Sequence, residues 1–281
     1  MKPSYTREEK CVDTNQKRRL IVIISLLILL GVSTYQHGPN MLLITLVSVI
    51  TSLVLELLAA WLRKEKLDFT AYFISPLIVT LILPHTITSH LWMVALGLSF
   101  GLFFAKLLFG GQDKNVFNAE SLGFLFLLLS FPIYILNQKT GNAMGEIFVY
   151  TCLAMALLLM LFKAISPYTL ISYFVSLLGM YGLFYLINAT NPNPLDIIFQ
   201  TNFIFVGVFM VTEPSTGAKK NTGKIIHGFL LGLMVWLINT QSSNREFAAI
   251  YAIMLGNTLS PLIDYLLASY LTKTEIQEIT L

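Results

Sequence analysis

Long apolar segments separated by short polar breaks are the feature of this sequence that most limits its fold. Apolar runs of about 20 residues recur along the chain, and this is the length that an α-helix needs to cross the core of a bilayer. Charged residues make up only 12% of the 281 residues, well below the share of about 25% in soluble domains. A soluble fold of this size cannot enclose so much apolar surface, so we expect an all-α integral membrane protein.

The apolar segments predict about ten transmembrane helices. They are expected at residues 19–36, 40–62, 68–84, 91–108, 120–136, 146–163, 168–188, 196–212, 225–240 and 247–270. These spans predict a single transmembrane domain over 19–271, between tails at 1–18 and 272–281. The N-terminal tail lacks the small-residue cleavage site of a secretory signal, so we expect the first span to be retained.

The positions of the basic residues predict the orientation. With the N-terminus in the cytoplasm, only Lys139 and Arg245 of the 18 Lys and Arg residues fall on the outer side. Basic residues concentrate on the cytoplasmic side of membrane proteins. We therefore expect a multi-pass protein of the cell (inner or cytoplasmic) membrane with both termini in the cytoplasm.

Two short spans indicate an internal repeat. The spans at 68–84 and 196–212 hold the third place in each half of five, and both run into proline and threonine, as "LILPHT" and "MVTEPST". Halves with an odd number of spans have opposite orientations, which predicts two inverted five-helix repeats. Paired short, proline-interrupted spans are typical of a binding site near the membrane midplane in such folds. The alternative is that these are only ordinary helix ends.

The polar stretch "FGGQDKNVFNAES" at 109–121 is the first candidate site. Gly110 and Gly111 allow a tight turn, and Asn115 and Asn118 would share a helical face if the next helix begins here. An amide both donates and accepts hydrogen bonds. With Phe117 beside them, the two amides can bind a planar heterocycle such as a flavin. The alternative is an asparagine-capped helix start after a glycine turn.

Three acids in or beside the spans are candidates for an ion pathway. Glu56 lies in the second span, Glu213 ends the eighth, and Asp264 lies in the last. Carboxylates at membrane depth often mark such pathways, although each could instead pair with a polar neighbour. We expect no metal site and no catalytic residue, because the two cysteines are far apart, the four histidines are scattered, and nucleotide-binding and nucleophile motifs are absent.

Three blocks of the sequence resemble one family. They are "KLLFGGQDKNVFNAESLGFLFLLLSFP" (106–132), "FMVTEPSTGAKKNTGKIIHGFLLGLMVWLI" (209–238) and "LGNTLSPLIDY" (255–265). Their order and composition are similar to those of the RnfD/NqrB family, whose members are membrane subunits of Rnf electron-transport complexes and of the sodium-pumping NADH:quinone oxidoreductase.

This resemblance implies a ten-helix fold related to urea channels and electron transfer through flavins. It assigns Asn115 and Asn118 to a non-covalent flavin site, for riboflavin or FMN, and matches Asp264 to an acid considered for cation movement. Glu213 stands where the family has aspartate. The family's S-G-A-T motif, whose threonine carries FMN covalently, is missing from the outward loop "NQKTGNAMGE" at 137–146. Covalent FMN is therefore not expected.

The resulting expectation is a membrane subunit that relays electrons from a cytoplasmic NADH-oxidising partner to an extracytoplasmic acceptor, such as a flavinylated protein. Coupling to cation transport is compatible with the acids. Other membrane subunits are expected partners, nucleic acid is not, and the chain is not expected to catalyse a reaction alone. Two alternatives remain open: a channel or transporter for a small neutral solute or a flavin, and an assembly subunit without a cofactor.

Overall fold

The computed structural model describes residues 7–64, 72–109, 115–136, 145–188, 193–194, 196–197, 203–242 and 245–279. Within these ranges all regular secondary structure is helical. Gly110, Gly111 and most of the outward loop (137–144) lie outside the described residues.

Within the described residues, ten main helices, α1 to α10, correspond to the ten predicted spans. They are α1 Arg7–His37, α2 Asn40–Arg63, α3 Ile74–Ile82, α4 Leu91–Leu102, α5 Ala119–Ser130, α6 Glu146–Leu161, α7 Pro167–Ile187, α8 Phe203–Val206, α9 Asn221–Gln241 and α10 Ala248–Ile279. Shorter pieces are 3₁₀ helices at His85–His90 and Arg245–Phe247, an α-helical turn at Pro132–Leu136, and π-helical turns that continue α4 (Phe103–Leu107) and α8 (Gly207–Val211).

Six segments of the described chain are long and apolar enough to cross a membrane. They cover Asn15–His37, Asn40–Arg63, His85–Leu107, Pro167–Ile187, Asn221–Gln241 and Ala248–Tyr270. The apolar helices α5 and α6 are shorter. The all-α, multi-pass prediction is therefore confirmed.

Two helices extend beyond the predicted spans. Helix α1 begins at Arg7 rather than near residue 19, and α10 continues to Ile279, past residue 271. The flanking sequences contain Arg, Glu, Lys and Gln, which favour helix in water as well. A change in polarity therefore marks the expected membrane boundary without ending the helix.

The packing follows a five-helix repeat. Helix α4 packs on α2 and α5, and α9, five helices later, packs on α7 and α10. In the same way α1 contacts α3 and α6 contacts α8, while α1 meets α6 and α5 meets α10 across the two halves. Contacts within the first half thus recur in the second, in agreement with the predicted repeat.

Glycines bring the backbones of α4 and α5 together. A Cβ on Gly101 would overlap the carbonyl oxygen of Ala119, and a Cβ on Gly123 would overlap that of Gly97. Small residues allow this close approach between helices in membranes. As a result, the start of α5 is held against the π-helical end of α4.

Helix α3 is short, and both α3 and the described part of α8 are surrounded by other helices. Residues 75–82 of α3 are buried, as are residues 203–211 of α8 and its π-helical turn. Pro84 and Pro214 follow them, and proline cannot continue a helix through a regular hydrogen bond. Interrupted backbone at membrane depth is tolerated where protein covers it. Both π-helical turns lead into the polar loops of the candidate site, and such turns are frequent at functional sites.

Candidate functional site

The carboxylate of Glu213 joins two polar loops that are almost a hundred residues apart in sequence. Asn115 Nδ2 donates to Oε1 over 3.1 Å, and Asn118 Nδ2 donates to Oε2 over 2.7 Å. Ser215 Oγ donates to Oε1 over 2.6 Å, and Thr216 Oγ1 to Oε2 over 3.4 Å. The structure therefore brings Asn115, Asn118 and Glu213 into one cluster.

The end of α8 positions this carboxylate. The π-helical turn finishes at Val211, where Thr212 Oγ1 donates back to the carbonyl of Val208 over 2.5 Å. Pro214 follows directly and prevents regular helical continuation. Glu213 is thus presented by a fixed loop start rather than by the surface of a long helix.

Asn118 is the N-cap of α5. Its Oδ1 accepts a hydrogen bond from the backbone N–H of Ser121 over 2.8 Å, and its side chain is 1% exposed. Asn115 and Asn118 both precede the first helical residue, Ala119, so the expectation that they share a helical face is wrong. The capping alternative is correct for Asn118, and Glu213 is what brings the two amides together.

Asn115 retains an unused acceptor. Its Oδ1 is buried and has no hydrogen-bond partner among the described residues, although Nδ2 is bound to Glu213. A buried polar atom without a partner costs free energy. Asn115 also lines a cavity, which places an unsatisfied acceptor beside this space.

This cavity, here called the inner cavity, has a volume of about 330 Å³, within the range of small-molecule sites. Its polar lining includes Lys106, Asn115, Asn118, Glu120 and Glu213, and its apolar lining includes Ile74, Ile78, Ile165, Val208 and Phe209. Phe117, the aromatic residue of the predicted site, instead packs against the hydrophobic core. The inner cavity is therefore lined by both polar and apolar side chains.

Lys106, a residue of the cavity wall, belongs to a buried ion pair. Lys106 Nζ lies 2.9 Å from Glu56 Oε1, and both residues are buried. A buried charge is tolerated when it is paired, so Glu56 balances Lys106. Sequence reasoning overlooked Lys106 and Glu120, although a lysine inside an otherwise apolar span is a recognisable signal.

Glu213 titrates in an unusual range. Burial raises the pKa of its carboxyl, and the neighbouring Glu120 raises this pKa further, to about 7. Hydrogen bonds from Ser215 and Asn118 and the charge of Lys106 act in the opposite direction. The carboxyl can therefore exchange a proton near neutral pH.

Asp264, in α10, binds the same loop. The backbone N–H of Lys219 lies 3.1 and 3.2 Å from its two oxygens, while Lys219 Nζ donates to the carbonyls of Pro214 and Ser215. Asp264 does not line the inner cavity. It anchors the loop that carries Glu213.

The fold and the site define a class of protein. It is an all-helical, multi-pass membrane protein with a ligand-sized polar cavity where π-helical turns end α4 and α8. The sequence profile of the family described as NQR2, RnfD, RnfE matches residues 6–138 and 133–272. The chain belongs to this family.

Curated relatives are similar at low identity. The NqrB subunit of the Na(+)-translocating NADH-quinone reductase of Ectopseudomonas mendocina is 29% identical over 256 residues, covering 75% of this chain and 62% of the relative. The RnfD subunit of the ion-translocating oxidoreductase complex of Salmonella newport is 25% identical over an alignment of 320 residues, covering 88% of this chain and 91% of that protein. The chain thus spans less than two thirds of the first relative and most of the second.

Proposed function

We propose that the chain is a flavin-binding membrane subunit of an electron-transport complex. It would relay electrons from a cytoplasmic NADH-oxidising partner to an extracytoplasmic acceptor, such as a flavinylated protein, beside other membrane subunits. Both termini would be cytoplasmic, in the inner or cytoplasmic membrane, because this orientation places the basic residues inside. Family membership supports a role in an oxidoreductase complex.

The unused oxygen of Asn115 carries the cofactor part of the proposal. A flavin ring has an imide N–H that can donate to Asn115 Oδ1, and its flat apolar faces suit Ile78 and Val208 in the cavity wall. When bound, a flavin supplies electron transfer, while the protein supplies binding, orientation and electrostatics. The residues present therefore fit a non-covalent flavin.

The surrounding residues would hold Asn115 in its binding orientation. Because Nδ2 donates to Glu213, the amide plane is fixed and Oδ1 cannot exchange places with the nitrogen without losing that bond. Asn118, fixed by the helix cap, holds the other oxygen of the same carboxylate. Lys106 contributes a buried positive charge to the wall, balanced by Glu56.

Among the three predicted ion-pathway acids, Glu213 is the one we assign to proton or cation exchange at the site. It lines the inner cavity and has a pKa near neutrality. Glu56 is paired with Lys106, and Asp264 binds the backbone of Lys219, so both have structural roles.

A flavin assay on the gently purified complex tests the proposal. After acid precipitation we expect flavin in the supernatant, and Asn115→Leu should reduce it by about tenfold, the effect of leaving the ring's donor unpaired. Asn40→Leu, at an exposed helix start, should leave the flavin content unchanged.

The other outcomes are equally informative. Flavin in the pellet would mean covalent attachment and would contradict the non-covalent site. No flavin in either fraction would contradict the relay and favour a solute channel or an assembly subunit. Equilibrium uptake of labelled neutral solutes into proteoliposomes would then separate those two functions.

A further inference from the structure

A second cavity, here called the outer cavity, adjoins the inner one. The two names do not refer to the sides of the membrane. It has a volume of about 520 Å³. The two cavities share Arg18, Ile165, Thr212, Glu213 and Lys219 in their walls. A molecule with its ring in the inner cavity could therefore extend a polar substituent into the outer cavity.

The outer cavity is strongly basic. Arg18, Lys163, Lys219 and Lys224 line it, against one acid, Glu213, whose oxygens already accept hydrogen bonds from neighbouring side chains. The side chains of Arg18, Lys163 and Lys224 have no ion pair or hydrogen bond within the described part of the chain. These unpaired positive charges favour an anionic ligand.

Two helices begin at the same cavity. Residues 166–169, at the start of α7, and Asn221 and Lys224, at the start of α9, form part of its wall. The N-cap residues Ser166 and Lys220 make no side-chain capping hydrogen bond. Pro167 has no N–H, so the free donors at the start of α7 are those of Tyr168 and Thr169, whereas α9 begins with the N–H of Asn221. Uncapped N–H groups of this kind favour phosphate and carboxylate ligands.

A buried imidazole stands behind the cavity wall. His227 is 2% exposed, and apart from the backbone of Gly256 beside its ring, neither ring nitrogen has a hydrogen-bond partner among the described residues. Its Nδ1 is 3.9 Å from the position that a Cβ on Gly217 would take, and Gly217 lines the outer cavity. His227 itself does not line the outer cavity, and Gly217 is the lining residue beside its ring.

We infer that the outer cavity binds a phosphate monoester, so that the non-covalent ligand is flavin mononucleotide rather than riboflavin. This inference rests on the proposed flavin function and specifies its ligand. Arg18, Lys163 and Lys224 would pair with the phosphate oxygens, and the two helix starts would donate backbone hydrogen bonds to them. The phosphate of an anionic lipid headgroup has the same chemistry, and the test separates the two.

The affinities of the protein for FMN and for riboflavin test this inference. The full-length protein, depleted of flavin in a neutral detergent, is titrated by equilibrium dialysis with FMN and, separately, with riboflavin. We expect FMN to bind at least about tenfold more tightly, because only FMN forms the charge-assisted hydrogen bonds. High salt should reduce this preference, since Arg18 and Lys163 are exposed and Lys224 is half-buried.

A double lysine variant tests the phosphate contacts, and a variant of a third lysine is its matched control. Lys163→Gln combined with Lys224→Gln should weaken FMN binding by about tenfold and leave riboflavin binding unchanged. Lys64→Gln should change neither, although Lys64, like Lys163, follows a helix in a left-handed conformation, with φ of 57° against 53°. Unchanged riboflavin binding also shows that the double variant is folded.

Three results would overturn the inference. Equal affinities for FMN and riboflavin would remove the phosphate site while leaving the flavin function intact. Binding of neither flavin would remove the proposed function and the inference together. Phosphatidylglycerol could also abolish the preference of the natural protein for FMN while leaving FMN binding to the lysine double variant unchanged. That result would assign the outer cavity to a lipid headgroup.

Discussion

Replacing Glu213 by glutamine separates two opposing effects on one carboxyl group. Burial and the neighbouring Glu120 favour the protonated form, whereas hydrogen bonds from Ser215 and Asn118 favour the carboxylate. Glutamine keeps the size of the side chain but cannot ionise. The difference in stability between the natural protein and Glu213→Gln, followed against pH, therefore reports which effect is larger.

The structure predicts the sign and the size of this difference. The pKa of Glu213 is raised from 4.5 to about 7 in the folded protein, so the folded state holds its proton more tightly than the unfolded state. This contribution to stability is complete below the unfolded pKa of 4.5 and is lost as the pH rises through about 7. A shift of this size corresponds to about 3 kcal/mol of unfolding free energy.

Thermal unfolding of the detergent-solubilised protein between about pH 4.5 and pH 8 is the assay. The natural protein should lose stability relative to Glu213→Gln as the pH rises, and the difference should level off above about pH 7. Adding Glu120→Gln to both proteins should move this transition to lower pH, because it removes a neighbouring negative charge. A relative gain in stability with rising pH would refute the reasoning, since it would mean that the hydrogen bonds outweigh burial.

Three further substitutions test the packing and polar contacts around the site by the same thermal assay. Asn118→Ala should lower the unfolding free energy by about 1–2 kcal/mol through loss of the α5 cap; an unchanged Tm would contradict that role. Lys106→Met should cost about 3–5 kcal/mol because Glu56 is left buried and unpaired, and most of this should return when Glu56→Leu is added. Gly101→Ala should cost about 1–3 kcal/mol by separating α4 from α5, whereas Gly31→Ala, which meets no atom within 4 Å, should cost nothing.

The all-helical, multi-pass fold could be predicted because it depends on one strong local signal. Each predicted span corresponds to a helix, since an apolar run in a bilayer must satisfy its backbone hydrogen bonds internally. The ends of the helices were harder to predict. Polar residues after Tyr270 continue α10 to Ile279, because the hydrogen bonds of a helix do not require the membrane.

The polar contacts of the site could be predicted only in part. Asn115, Asn118 and Glu213 were each recognisable as polar residues beside apolar spans, but no local pattern relates residue 115 to residue 213. Their contact depends on the packing of α8 against the rest of the bundle. The cap at Asn118 was one of two local alternatives, and only the hydrogen bond to Ser121 decides between them.

The interruption of α8 explains why the cavity lies at its end. A regular span would satisfy its carbonyl groups along its length and place its last side chains near the membrane surface. Here the π-helical turn ends at Val211 and Pro214 prevents regular continuation, so Glu213 stays inside the bundle, where Asn115 and Asn118 can reach it. The same break that ends this helical segment at Val211 therefore creates the polar wall of the inner cavity.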